Sequence, residues 1–406
     1  MLNHDFTGEP MATSRRLPLK RLLAPALSVI GALLLAACGA GSATPSATAP
    51  TASAPAAASA PGSTAAQSGG QAQLDSAVAA GKKEGKIVLS GPPSAVWRTA
   101  LTSFEKDYPD IKVEYAGTTS RDYWPRIAQE QKAGQFLWDL RVGGPDPQVF
   151  EARDQGMLAP VKPLLITPDA TDESLWFGGN KDLLWADNGK EYLRNFLASG
   201  GSQILVNRDF VPESALNSGK QLIDPQWKGK IVLQDPRGGS GLGAVTTILV
   251  AYGEDFVRTL LTQQALAVTA DNRQEAEWLV RGNYAIGIGN VTDEIVSLQQ
   301  QGLKTNIPLL QDAPPSLSIG FGSTQLMKNP PHPNATKVYL NWLMTQNAQA
   351  TIAKTAQVNS LRLDVPAGDP ANKPDASRLD QYIPHQYEKL LATRQHALQI
   401  STELLK

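Results

Sequence analysis

From Gly39 to Leu74 the chain carries no charged residue and is built almost wholly from Ala, Ser, Thr, Pro, Gly and Gln. Such a stretch cannot bury enough apolar surface to offset its ordering entropy, so it is expected to stay a disordered tether. As a flexible coil it would reach about 35 Å. A packed core is therefore expected only between Asp75 and Lys406, a length that usually divides into two domains.

The segment ahead of the tether has a different character. Arg15, Arg16, Lys20 and Arg21 precede an uncharged, Leu- and Ala-rich run from Leu22 to Ala37. That run is short for a spanning helix, which needs about 20 apolar residues, and it has the form of an export signal over residues 1–37. Its end, Leu35-Ala36-Ala37-Cys38, resembles a bacterial lipoprotein lipobox. The resemblance implies cleavage before Cys38 and lipidation of that residue, within a 38–74 tether. Each buried methylene of such an anchor adds about 0.8 kcal/mol of membrane affinity. A buried structural thiol is the plainer alternative for a lone cysteine. Ser14 to Lys20 also resembles the twin-arginine export motif, with Pro18 where that motif prefers Phe. An extracytoplasmic protein, lipid-anchored at the cell membrane, is the expectation.

Without residues 1–37 the chain has 33 Lys/Arg and 36 Asp/Glu, a formal charge of −3. No basic stripe calls for a nucleic-acid partner. Cys38 is the sole cysteine, which removes disulfides and Cys-ligated metal sites from consideration.

The periodicity of the folded part alternates. Strands are expected over Lys86–Ser90, Ile111–Tyr115 and Trp138–Val142, with helices over Ala95–Tyr108 and Arg121–Lys132 between them. This β-α-β-α-β order points to a parallel α/β sheet, whose ligands sit at the carboxyl ends of the strands. A second block repeats the alternation. Strands are expected over Gln203–Asn207, Lys230–Gln234, Leu266–Thr269 and Tyr284–Gly289, with helices over Leu242–Tyr252 and Gln274–Val280. Ser316–Phe321 is expected to carry the chain back, followed by helical stretches over Pro331–Lys354 and Gln381–Lys406.

Four local stretches, in this order and spacing, carry a resemblance. They are Glu84-Gly85-Lys86-Ile87-Val88, Asp224 to Ile231, Arg281 to Gly289, and His332-Pro333-Asn334-Ala335 ahead of Asn341-Trp342-Leu343. Over about residues 80 to 366 the chain resembles the extracellular solute-binding proteins of the iron(III)-type ABC transporter family. The resemblance implies a type 2 periplasmic-binding-protein fold: two α/β lobes, two hinge crossings and a ligand cleft between. Lobe 1 is then expected over 75–202 plus 317–406, and lobe 2 over 203–316. Also implied are a monomer without cofactor, a small-molecule solute, and an ABC permease with its ATPase as partners.

Fold does not fix the ligand. Iron-binding members that this chain resembles use an adjacent Tyr-Tyr pair, and counting from Gly282 those positions fall on Thr292 and Asp293. The family's oxyanion pocket is better matched. It resembles a Ser-Gly pair at a helix start plus two Asn eighteen positions apart, here Ser240-Gly241 with Asn272 and Asn290. Free N–H groups and the positive end of a helix dipole favour an anion there. Arg237 would add a planar fork, and Ser90, Thr118 and Thr119 would face it from the first lobe. The expected ligand is a small oxyanion-bearing solute: a phosphate ester, phosphonate, sulfonate or carboxylate. Bland alternatives stand beside this. Ser240 is equally an N-cap, the two Asn are turn caps, the arginines are surface charges, and Trp124, Trp185 and Tyr192 are core as readily as cleft.

Three rivals remain. One is a ferric-binding transport protein with non-tyrosine ligands, and another is a ligand-sensing surface receptor. The third is an exported enzyme. Gly239 to Ala244 fits a loose dinucleotide pattern, but no acidic residue stands about 20 positions on. His332, His385 and His396 sit in no nucleophile or metal motif. No catalysis is expected.

Overall fold

The computed structural model describes residues 61–303 and 305–405. The leader, Cys38 and the tether up to residue 60 lie outside the described residues.

Among the described residues there are eleven strands: β1 (Lys86–Gly91), β2 (Lys112–Gly117), β3 (Leu140–Gly143), β4 (Leu193–Asn195), β5 (Ser199–Gly201), β6 (Ile204–Val206), β7 (Ile231–Gln234), β8 (Ala267–Thr269), β9 (Ile286–Ile288), β10 (Ser316–Ser318) and β11 (Ser323–Leu326). The first sheet has the order β2-β1-β3-β11-β4 and the second β6-β9-β7-β8. In the first, β1 pairs parallel with β2 and β3, and β11 runs antiparallel to β3 and β4. The second repeats the scheme: β7 is parallel to β8 and β9, and β6 runs antiparallel to β9. Each sheet thus has a parallel βαβαβ centre, closed on one side by a strand arriving from the other half of the chain.

Those crossings are β5 and β10, which pair antiparallel with Gly200 opposite Leu317. Gly201 has φ +142°, a conformation side chains rarely adopt, where the chain leaves β5 for β6. The apolar residues divide accordingly. One core gathers Ile87, Leu89, Leu140, Leu317, Tyr339 and their neighbours. A second gathers Ile204, Ile231, Leu233, Val245, Ile286 and theirs.

Three expectations need correction. Residues 61–74 were expected in the tether, but Pro61–Glu84 is one helix. It docks on the helix Pro333–Leu343, with Gly81 against the Ala335 backbone. Glu84 there accepts from the Asn334 side chain at 2.7 Å and from the Ala335 N–H at 2.8 Å, satisfying donors at that helix start. An Ala/Ser/Gly sequence is a weak prior for either state, and tertiary docking decides it. Second, the chain does not stay with the first lobe after 317. The helix Leu391–Leu404 packs on the helices Gly239–Tyr252 and Glu254–Gln263, and Ala397 and Ile400 belong to the second core. The helical stretch expected over Pro331–Lys354 is also broken, into Pro333–Leu343 and Gln346–Ala356, because Thr345 caps the second helix.

Candidate functional site

The carboxyl ends of β1, β2 and β3 converge on one side chain. Ser90, Arg141 and Gln325 lie in register across β1, β3 and β11. Arg141 is 3% exposed. Its Nη1 donates to Ser90 Oγ at 2.8 Å and to Thr118 Oγ1 at 3.0 Å, and its Nη2 to Ser120 Oγ at 3.2 Å. The guanidinium lies 4.5 Å over the Tyr123 ring, and its Nε has no hydrogen-bond partner. Among the described residues it makes no ion pair, and burial pulls its pKa below the usual arginine value. A cation is thus held in the first lobe by hydroxyls alone. One of the Ser90 and Thr118 hydroxyls donates to the other, so that pair keeps a single O–H to donate onward, beside that of Ser120.

Of the residues expected here, Ser90 and Thr118 meet, with their hydroxyls 2.8 Å apart. Thr119 does not join them. It is exposed and caps the helix Ser120–Lys132, accepting from Asp122 N. Arg141 was missed. The available signal was the pair of charged residues, Asp139 and Arg141, inside the strand expected over Trp138–Val142.

In the second lobe the helix Gly239–Tyr252 begins three residues before the expected start, with Gly238 as N-cap and no side-chain cap. Its first N–H groups therefore lack a protein side chain as acceptor. Ser240 sits in that first turn, half-buried, and is not the N-cap. A Cβ on Gly241 would lie 2.2 Å from the Gln234 carbonyl oxygen, so only glycine lets the helix start so close to β7. Arg237 departs from its expected role. It is exposed and bonded to Asp235 through Nε at 2.8 Å and Nη2 at 2.7 Å. That pairing lowers the Asp235 pKa and consumes the fork.

Asn272 opens the helix Asn272–Val280 behind its cap Asp271, accepts from the Gln234 amide, and donates to Glu294 at 3.3 Å. Asn290 follows β9, is exposed, and lines a cavity of about 600 Å³ between the halves. Trp97, Ile319 and Phe321 wall that cavity from the first half; Asp293 and Ser297 do so from the second. Behind Asn272, Glu275 is fully buried with both carboxylate oxygens unpartnered. Burial first, and Glu294 second, push its pKa up to about 8.

The large aromatics fall mostly into core. Trp124 is buried beside Tyr123, and Trp185 packs near the buried Arg194, while Tyr192 is half-buried against the Tyr123 cluster. The histidines have structural partners. His332 Nδ1 binds Asp139 at 2.8 Å, and His396 binds Glu254 at 2.8 Å. His385 Nδ1 meets Ser316 Oγ at 2.9 Å, but burial and Arg394 pull its pKa to about 3, too weak for a general base near neutral pH. Thr292 and Asp293 stand at the start of the helix Thr292–Gln300. Among the described residues no group of three or more His, Cys, Asp or Glu could hold a metal ion, and no helix is long and apolar enough to cross a membrane.

Known proteins share this architecture. Iron-bound HitA from Pseudomonas aeruginosa superposes with a TM-score of 0.58 at 18% identity, over 79% of this chain and 99% of that one. AfuA from Actinobacillus pleuropneumoniae, with exogenous fructose-6-phosphate bound, gives 0.56 at 17% identity, over 79% and 98%. These establish the fold as that of type 2 periplasmic binding proteins. Iron uptake protein A1 of Synechocystis sp. is 19% identical over 249 residues, 57% of this chain. The chain spans 62% of the length of that curated relative. Residues 99–377 match the family described as bacterial extracellular solute-binding protein, a stretch that takes in β3 with Arg141, both crossings and the Ser240 helix. With two similar sheets joined by paired crossing strands and polar groups at the strand ends, the chain belongs to the bacterial extracellular solute-binding protein family.

Proposed function

We propose that this chain is the solute-binding component of an ABC importer, which captures a small oxyanion-bearing solute and delivers it to a membrane permease. The observation that carries the oxyanion is Arg141, a buried guanidinium held by Ser90, Thr118 and Ser120 with no acid paired to it among the described residues. Burying an unpaired charge costs several kcal/mol, which an anionic ligand would offset. The uncapped start of the helix Gly239–Tyr252, with Ser240 and Gly241, would meet the same anion from the second lobe. Asn290, just past β9, and Asn272, just past β8, would add further amides. In this reading β5 and β10 act as the hinge, and Cys38 carries the lipid that keeps the protein at the cell membrane. No chemistry on the solute is involved.

The names of the relatives favour iron as a second reading. Against it, the described tyrosine hydroxyls that bond do so within the fold, as Tyr115 does to the Pro92 carbonyl at 2.6 Å. Burial raises the Tyr115 pKa to about 12, away from phenolate.

Thermal-shift titration of the purified chain separates the readings. A ligand at a hundred times its Kd stabilises by about 2.7 kcal/mol, visible as a shift of a few degrees. A shift with phosphate esters or phosphonates and none with ferric salts supports the oxyanion reading. A shift with ferric citrate alone overturns it.

A further inference from the structure

Two arginines, not one, are brought to the junction of the lobes. On the helix Leu391–Leu404, three-residue spacing sets Leu391, Arg394, Ala397 and Ile400 along one face. Leu391 packs against the first-lobe cluster of Tyr123, Trp124 and Phe150, whereas Ala397 and Ile400 are buried in the second core. Arg394 lies between these contacts, so its guanidinium enters where the halves meet. Arg394 Nε and Nη1 are buried without a partner. Arg141, its Nε likewise unpartnered, lies over Tyr123 and Trp124, two members of the cluster against which Leu391 packs. The placement is fixed from outside: Arg153 on the helix Pro147–Asp154 grips Glu388, just ahead of Leu391, with bonds of 2.8 and 2.7 Å.

Asp146 is the one carboxylate whose charge bears on both guanidiniums. It forms an ion pair with neither, and its Oδ1 accepts from Val149 N at 3.0 Å as the cap of that helix. The buried Arg141 and the half-buried Arg394 therefore share one acid already in use.

We propose that Arg141 and Arg394 together seat a dianionic tetrahedral group, a phosphomonoester or phosphonate, as the lobes close. This rests on the oxyanion reading above and narrows it. A dianion neutralises both guanidiniums, and its several acceptor oxygens match the unpartnered nitrogens and the Ser/Thr hydroxyls. A planar carboxylate would leave donors unused.

Calorimetric titration of the full chain with ethyl phosphate and with diethyl phosphate tests this. The wild type is expected to bind the monoester at least about tenfold tighter than the diester. Arg394→Met is expected to bring that ratio close to one, with Arg394→Lys recovering part of it. Asp146→Asn is expected to strengthen monoester binding several-fold, because it removes the competing negative charge. Equal affinity of the wild type for both esters, or a wild-type ratio in Arg394→Met, overturns the proposal. If Arg394→Met does not fold, an unchanged monoester affinity in Asp146→Asn overturns it. Oxyanion binding that needs Arg141 but not Arg394 removes this inference and leaves the functional reading standing. A wild type that binds no oxyanion removes both.

Discussion

Arg141 Nη1 donates to Ser90 Oγ at 2.8 Å, from the middle of the first sheet's β3 to the end of its β1. The bond sets a cation among hydroxyls at the strand ends, where an α/β fold takes its ligands.

Because Arg141 breaks no ion pair when removed, its binding and stability effects are expected to separate. Arg141→Met keeps an apolar stem over Tyr123 and removes the charge. Oxyanion affinity should fall at least about tenfold. The thermal midpoint should hold or rise, since a buried unpaired charge is gone. Calorimetry beside a melting curve checks both, and a lower midpoint with unchanged affinity would contradict the site.

Arg237 and Ser240 should behave unlike each other. Arg237 is occupied by Asp235 at the surface, so Arg237→Ala is expected to change anion affinity no more than about twofold. Ser240→Trp places bulk over the first turn of the helix and should weaken binding at least about tenfold. Titration of the two single variants distinguishes them; equal losses would put Arg237 back in the site.

Asp139 is a structural acid. It is fully buried and accepts from Val88 N at 2.8 Å, from His332 N at 2.7 Å and from His332 Nδ1 at 2.8 Å. Asp139→Ala strands those donors and should cost about 3 kcal/mol. Denaturant unfolding measures it, and a loss under about 1 kcal/mol would mean that water takes over the role.

Glu275 predicts a pH trend. Its folded pKa is raised to about 8, against about 4.3 in an unfolded chain. Between those values the unfolded state has lost the proton that the folded state still holds. The group's contribution therefore falls as pH rises through this window and levels off above about 8. Glu275→Gln should leave stability near pH 4 almost unchanged and raise it at pH 8 by at least about 1 kcal/mol. Denaturant midpoints at the two pH values decide it, and a variant less stable at pH 8 would show that the Glu275 carboxylate has a partner.

The sequence alone determined the alternating order of strands and helices, and with it the two-lobed α/β fold, because apolar periodicity is a local property. It also located Ser90, Thr118, Ser240 and Gly241 at strand and helix ends. Its expectation for residues 61–74 was wrong, because whether an Ala-rich stretch is helical depends on a docking partner 250 positions away, as Glu84 has in Asn334. Only the tertiary structure decided which charges are free. Asp235 lies two positions from Arg237 and takes it, whereas Arg141 and Arg394, from distant parts of the chain, have no partner acid among the described residues. Burial is a long-range fact: a guanidinium's worth to an anion depends on what else surrounds it, and periodicity carries no information about that.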